Sequence, residues 1–319
     1  MAFGTGANSA RIGRPRPLET PAKTKMSKSA GIDLTAHGES SAAGLGVLAF
    51  RGADAARFLQ GQVSADIEKL PVGASTLAGL HNHQGRVIAL LATVRTSTEE
   101  VLAVLPRELA ADVAQRLRKF VFRAKVAIEN VSEGFCVLGV EPGAAPPVGA
   151  AALVWGTRRV LLVPPERAGE FALLDDASLA RWQRADVAEG LPQVYAATSE
   201  TFVAQMLNLD LLGAVAFDKG CYTGQEVIAR AHYRGRVKRR LQRWHAESAT
   251  APRAGDSARS ADGRSLTVVR AAAGVAGGWD LLAVGTFAAG NPSEDAASTA
   301  DDAAVRVEGP LALPYSLPE

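Results

Sequence analysis

Asp218-Lys219-Gly220-Cys221-Tyr222-Thr223-Gly224-Gln225-Glu226 is the stretch on which the reading of this chain turns. It sets a thiol between a cation and an aromatic ring, with a glycine on either side. Gly220 and Gly224 admit backbone shapes and close approaches that a Cβ forbids. An ammonium close to Cys221 favours its thiolate, which makes Cys221 the candidate reactive group and Lys219 the group that tunes it. Tyr222 is the candidate pocket wall. Gln225 and Glu226 add hydrogen-bonding groups. The plainer reading, a turn joining two elements around a small buried thiol, stays open on the residues alone.

The string does not stand alone. Val227-Ile228-Ala229-Arg230 follows it. Phe202-Val203-Ala204-Gln205-Met206-Leu207-Asn208-Leu209-Asp210 and Gly190-Leu191-Pro192 precede it. Gln60-Gly61-Gln62-Val63-Ser64-Ala65-Asp66 lies far upstream, and Tyr233-Arg234-Gly235 and Leu313-Pro314-Tyr315-Ser316-Leu317 lie downstream. In this order the segments resemble the YgfZ-type folate-binding proteins, relatives of the aminomethyltransferase (T-protein) of the glycine cleavage system, from about residue 45 to the end.

The resemblance implies a cytoplasmic protein with tetrahydrofolate or another reduced folate as cofactor. Its partners would be iron–sulfur enzymes or cluster carriers, tRNA-modifying radical enzymes among them. The implied site residues are Cys221 and Lys219 at the reactive centre, with Trp182, Tyr222, Glu189, Arg230, Arg234 and Arg236 around the folate. A flat pterin needs an aromatic slot and edge hydrogen bonds, and an anionic tail needs cations. Lys119 and Arg123, beside Phe120-Val121-Phe122, match further basic positions of the family.

Two departures bear on activity. The aminomethyltransferases carry an acid after their Gly-Gly-Val-Ile turn, whereas here Gly85-Arg86-Val87-Ile88 runs into Ala89-Leu90. They also carry a glutamate where this chain has Ala188, with Glu189 one residue late. A folate-dependent one-carbon (aminomethyl) transferase is the first alternative function, and the missing acid at Ala89-Leu90 counts against it. A direct RNA-binding module is the second, since residues 227 to 246 hold Arg230, Arg234, Arg236, Lys238, Arg239, Arg240 and Arg243 with no acid. Tyr233 and Trp244 would be its stacking rings. A solvated cationic face explains the same run equally well.

Composition sets the outer limits. The chain has 319 residues and a net charge of +2, enough length for two or three domains. No apolar run is long enough to span a membrane. The two cysteines, Cys136 and Cys221, form no disulfide framework and suit a reducing compartment. Two thiols by themselves cannot supply four ligands to a metal or cluster, and no metal site is expected. Cys136, within Phe135-Cys136-Val137-Leu138, reads as core.

The expected fold is α+β, with an α/β body to about residue 235 and a small β domain after it. The family implies two α/β subdomains around a central folate cavity plus a C-terminal β-barrel. The boundaries are 1–34 a disordered tail, 35–130 the first subdomain, 131–235 the second with the signature loop, and 236–319 the barrel. The tail is rich in Pro, Ser and Arg and lacks a secretory core. Its composition is shared by organelle transit peptides, so a matrix location is the alternative, but Pro15, Pro17 and Pro21 oppose the amphipathic helix of such peptides. Met26 is a second candidate start.

Helices are expected from Asp54 to Leu59, Arg107 to Phe122, Ser178 to Val187 and Ser199 to Leu211. The second of these repeats Leu109, Val113 and Leu117 at helical spacing. The third is helical or mixed. His81 and His83 fall in a hairpin turn and read as exposed.

Overall fold

The computed structural model describes residues 1–2, 28–35, 44–141, 149–234, 237–286 and 304–318. Its strands are β1 (Ser29–Asp33), β2 (Leu45–Arg51), β3 (Ser75–His81), β4 (Val87–Ser97), β5 (Glu100–Pro106), β6 (Ala127–Asn130), β7 (Cys136–Val140), β8 (Ala151–Trp155), β9 (Arg158–Val163), β10 (Phe171–Leu173), β11 (Arg239–Ala246), β12 (Ser257–Ser260), β13 (Ser265–Ala273), β14 (Trp279–Thr286) and β15 (Val305–Leu311). The helices are α1 (Ala55–Gln60), α2 (Arg107–Arg118), α3 (Asp176–Ala188) and α4 (Gln225–Tyr233).

Side-chain alternation along the strands dictates how the layers meet. The first sheet has the order β3-β4-β5-β2-β6. In β2, Val47 and Ala49 face one way, joined by Ala92, Val94, Leu102 and Val104, and pack on the second sheet through Ile32, Val137, Leu153 and Leu162. Leu48 and Phe50 face the other way, onto a core with α1, α2 and residues 194–215. Apolar residues on both faces make β4 and β5 continuous buried runs. The second sheet has the order β10-β1-β7-β9-β8. The last five strands close on themselves in the order β11-β14-β13-β12-β15. Trp244, Val268, Leu281 and Ala283 fill that barrel.

Three expectations change. The tail does not run to residue 34: Ser29–Asp33 is a strand of the second sheet, parallel to β10 and antiparallel to β7. Its alternation is short, and only Ile32 and Leu34 carry it inward. The first 34 residues otherwise lie mostly outside the described residues. Residues 199–211 do not form one helix. Glu200 and Phe202 exchange backbone hydrogen bonds with Val87, Ala204–Leu207 make one 3-10 turn, and Asn208 adopts φ 57°. Phe202 and Leu209 are buried all the same, in the core shared with α1, α2 and β4, but not along a helix face. The expected helix to Phe122 stops at Arg118, followed by bonds from 119 to 116, 120 to 117 and 121 to 118 that tighten the last turn.

The barrel is fixed to the body by polar contacts. Arg240 forks onto Asp210 at 3.0 Å through both nitrogens. Asn208 donates to Leu241 O and to the Tyr315 hydroxyl, which donates to Gly190 O. Tyr315 thus returns to the Gly-Leu-Pro turn and brings two motifs far apart in sequence into contact.

Candidate functional site

Lys219 is the keystone of the signature loop. Its Nζ donates to three backbone carbonyls, Gln60, Val63 and Ala65, each at 2.7 Å. The Gln60–Asp66 motif is folded to receive it. The Gln60 side chain accepts from Ile67 N and donates to Asp66, and Ser64 Oγ donates to Ala214 O while accepting from Gly79 N. Burial pushes the Lys219 ammonium down to about 8, opposed by Asp66 and Glu68. It remains charged at neutral pH, and its three protons are all committed to the fold.

Tyr222 packs beside it. The ammonium lies 5.0 Å from the ring centroid, and burial raises the phenol to about 12. Cys221, between them in sequence, is exposed. The structure therefore brings Lys219, Cys221 and Tyr222 together, with Lys219 holding the loop and the thiol turned outward.

Gly224 is required by its neighbours. It has φ 83°, and a Cβ there would fall 2.5 Å from Asn82 O and 3.0 Å from Gly85 Cα. Gly85, at φ 72°, in turn faces Val227 of α4. The signature loop thus sits on the β3–β4 hairpin turn, glycine against glycine. Asn82 is held by Glu200 at 2.7 Å, and Arg116 of α2 holds Glu200 at 2.6 Å. A Cβ at Gly220 would meet nothing within 4 Å.

His81 was expected in an exposed turn. It is the last residue of β3, 1% exposed, with both ring nitrogens unpartnered. Its ring lies 6.2 Å from that of Tyr222, and burial pushes its pKa down to about 3. The strand reaches one residue further than the turn residues suggested, so the imidazole faces the core. The apolar run Leu77 to Leu80 leading into it was the available signal.

Trp182 and Glu189 belong to a second cluster. Trp182 is 2% exposed. The Arg158 guanidinium covers its ring at 4.1 Å, and Gly139 lies so close that a Cβ would come within 2.9 Å of it. Glu189 accepts from Thr157 N and Oγ1 and from Arg158 Nε. Both residues are thus engaged with the β8–β9 turn. Between them Asp186, fully buried, accepts from Trp155 Nε1 at 2.8 Å, from Arg158 at 2.6 Å and from Arg270 of β13. Sequence reasoning missed Asp186, Arg158 and Arg270. The i, i+4 spacing of Trp182 and Asp186 places them on one helix face and was a usable signal for Asp186 alone.

Arg230 and Arg234 are exposed at α4, Arg230 pairing with Glu226 at 3.1 Å. Arg236 lies outside the described residues. The cationic run does not act as one surface: Arg240 is buried on Asp210, Arg243 pairs with Asp280, and Trp244 is fully enclosed in the barrel. Trp244 is therefore no stacking platform. Beside the signature, Phe217 instead stacks on His232 at 3.8 Å, with Tyr233 edge-on.

A cavity of about 650 Å³ opens between β3, β4 and β8, lined by Ser75, Val94, Leu153 and Val154 among others. No signature residue lines it. Among the described residues no helix is long and apolar enough to cross a membrane.

Comparison with solved structures gives the class first. The glycine cleavage system aminomethyltransferase T from Bartonella henselae superposes with a TM-score of 0.60 at 13% identity, over 81% of this chain and 78% of that one. The fold is that of the aminomethyltransferases, and the GCVT N-terminal domain family model matches residues 38–147. The tRNA-modifying protein YgfZ of Edwardsiella ictaluri (strain 93-146) is 32% identical over 303 residues, covering 83% of this chain and 88% of that protein. The protein of the same name from Klebsiella pneumoniae (strain 342) is 32% identical over 233 residues, 64% and 70% of the two chains. The chain belongs to the YgfZ family.

Proposed function

We propose that this protein binds a reduced folate and serves as an accessory factor in the assembly or repair of iron–sulfur clusters of particular enzymes, tRNA-modifying enzymes among them. The observation that carries the reading is the exposed Cys221 on a loop whose backbone is pinned by Lys219 and seated on the hairpin at Gly224. A thiol held outward on fixed backbone suits contact with another molecule. The names of the relatives, tRNA-modifying proteins, support the choice of client.

The residues fit a folate in part. Arg270 is buried with Nε and Nη1 unpartnered, and the buried Tyr195 phenol lies within electrostatic reach. Such donors suit the acceptor edge of a pterin. Trp182 and Glu189 already have protein partners, so Arg270 and Tyr195 are the better candidates for that end. Tyr222 would border the ligand, and the exposed Arg230 and Arg234 would meet the anionic tail.

Aminomethyl transfer has less support. Ala89 and Leu90 lie buried within β4 where an acid would be needed, which leaves no carboxylate there to take a proton.

Calorimetric titration with tetrahydrofolate tests the cofactor, and no heat of binding would overturn it. Restoration of iron–sulfur enzyme activity in cells lacking their own relative tests the role. Wild type should restore it and Cys221→Ala should fail while remaining folded. Full restoration by the variant would remove Cys221 from the reading.

A further inference from the structure

The second cationic stretch of the chain has a different character from the run after the signature. From Val113 to Ile128 it carries Arg116, Arg118, Lys119, Arg123 and Lys125 and no acid. Arg116 is bound to Glu200, and Arg118 Nε donates to Ile128 O at 2.8 Å. Among the described residues, Lys119, Arg123 and Lys125 have no carboxylate partner. Asp54 accepts from the Lys125 backbone N at 2.7 Å. Arg57, one turn along α1 from Asp54, is exposed and adds a further cation.

This corner also exposes rings. Phe122 is 85% exposed and Phe120 40%, while Val121 between them packs inward on the core. The Phe122 N donates to Phe120 O at 3.2 Å, so a tight turn fixes the backbone from which both rings project. Phe122 stands in water with Phe120 half-covered beside it, and Lys119, Arg123 and Lys125 lie within three residues of one ring or the other; the exposure of Phe122 favours neither folding nor solubility. A lipid surface would ask for a broader apolar face than two rings with the intervening valine turned away.

We propose that the Lys119–Lys125 corner, which includes the two basic positions Lys119 and Arg123 shared with the family, is a contact surface for single-stranded nucleic acid. Unstacked bases lie on exposed aromatic rings whatever their sequence, and neighbouring cations track the phosphates. The corner offers both within seven residues, and it shares no residue with the signature loop.

The test is fluorescence anisotropy of the full chain with a labelled single-stranded oligouridylate of about 15 nucleotides, across a salt series. Wild type should bind, and log Kd should vary with log salt with a slope of about 2, roughly 0.7 for each of three phosphates met. Phe122→Ala should weaken binding about tenfold and leave the slope unchanged, since stacking is not a charge contact. The double variant Lys119→Gln, Arg123→Gln should lower the slope to about 0.7. All three positions are exposed, and circular dichroism checks that the fold is retained. Absent binding by wild type, or binding unchanged in both variants, overturns the proposal. So does wild type that ignores the oligonucleotide yet sediments with phosphatidylserine vesicles in a Phe122-dependent way.

Discussion

Acidification should cost this protein stability through one imidazole. His81 is 1% exposed at the end of β3, makes no well-formed hydrogen bond, and is held neutral because burial, only partly opposed by the Gly79 backbone, pushes its pKa to about 3 from 6.5. The unfolded chain takes up its proton near the ordinary value, so it binds more protons than the fold between those limits. Stability is then full above 6.5 and is lost as pH falls toward 3. At about pH 5 the unfolded state has gained roughly 1.5 pH units of protonation free energy, about 2 kcal/mol at 1.36 kcal/mol per unit. Urea unfolding followed by tryptophan fluorescence, at about pH 5 and pH 7.5, measures this in wild type and in His81→Leu. Other titrating groups appear in both proteins and cancel in the difference. The variant should lose about 2 kcal/mol less stability on acidification than wild type. Identical pH dependence in the two proteins would refute a buried neutral His81.

Further outcomes follow from the same contacts. Lys219→Met should destabilise by about 2 to 3 kcal/mol, because three carbonyls lose a charged donor; it should also expose the 60–66 loop to trypsin at Arg57 and Lys69, and an unchanged urea midpoint would argue against the staple. Gly224→Ala should cost at least about 2 kcal/mol, from φ 83° and the Asn82 contact, whereas Gly220→Ala, with nothing within 4 Å, should cost well under 1; equal costs would contradict the hairpin seat. Trp182→Ala should lower stability by about 3 to 5 kcal/mol, as for any enclosed indole, and a variant as stable as wild type would show that the ring is not core.

The chain itself settled which segments matter and much of their local form. Leu109, Val113 and Leu117 announced α2, because helical periodicity is a local property. The short apolar runs after residue 236, split by turn residues, announced a β domain. The signature string announced the family, and Gly224 announced a close approach without saying to what.

Tertiary structure decided the partners. Lys219 looked like a neighbour of the thiol because it is two residues away, yet its ammonium points to carbonyls over 150 residues earlier. The acid-free run after residue 227 looked like one cationic face, but strand alternation and pairing sent Arg240 inward to Asp210 and Trp244 into the barrel. Phe202, Met206 and Leu209 fell at helical spacing, but backbone bonds to Val87 and a left-handed Asn208 outweighed that local preference. Ser29–Asp33 gained strand form only because two distant strands, β7 and β10, leave a place between them. Each is a long-range contact whose free energy belongs to two segments at once, so neither segment alone encodes it.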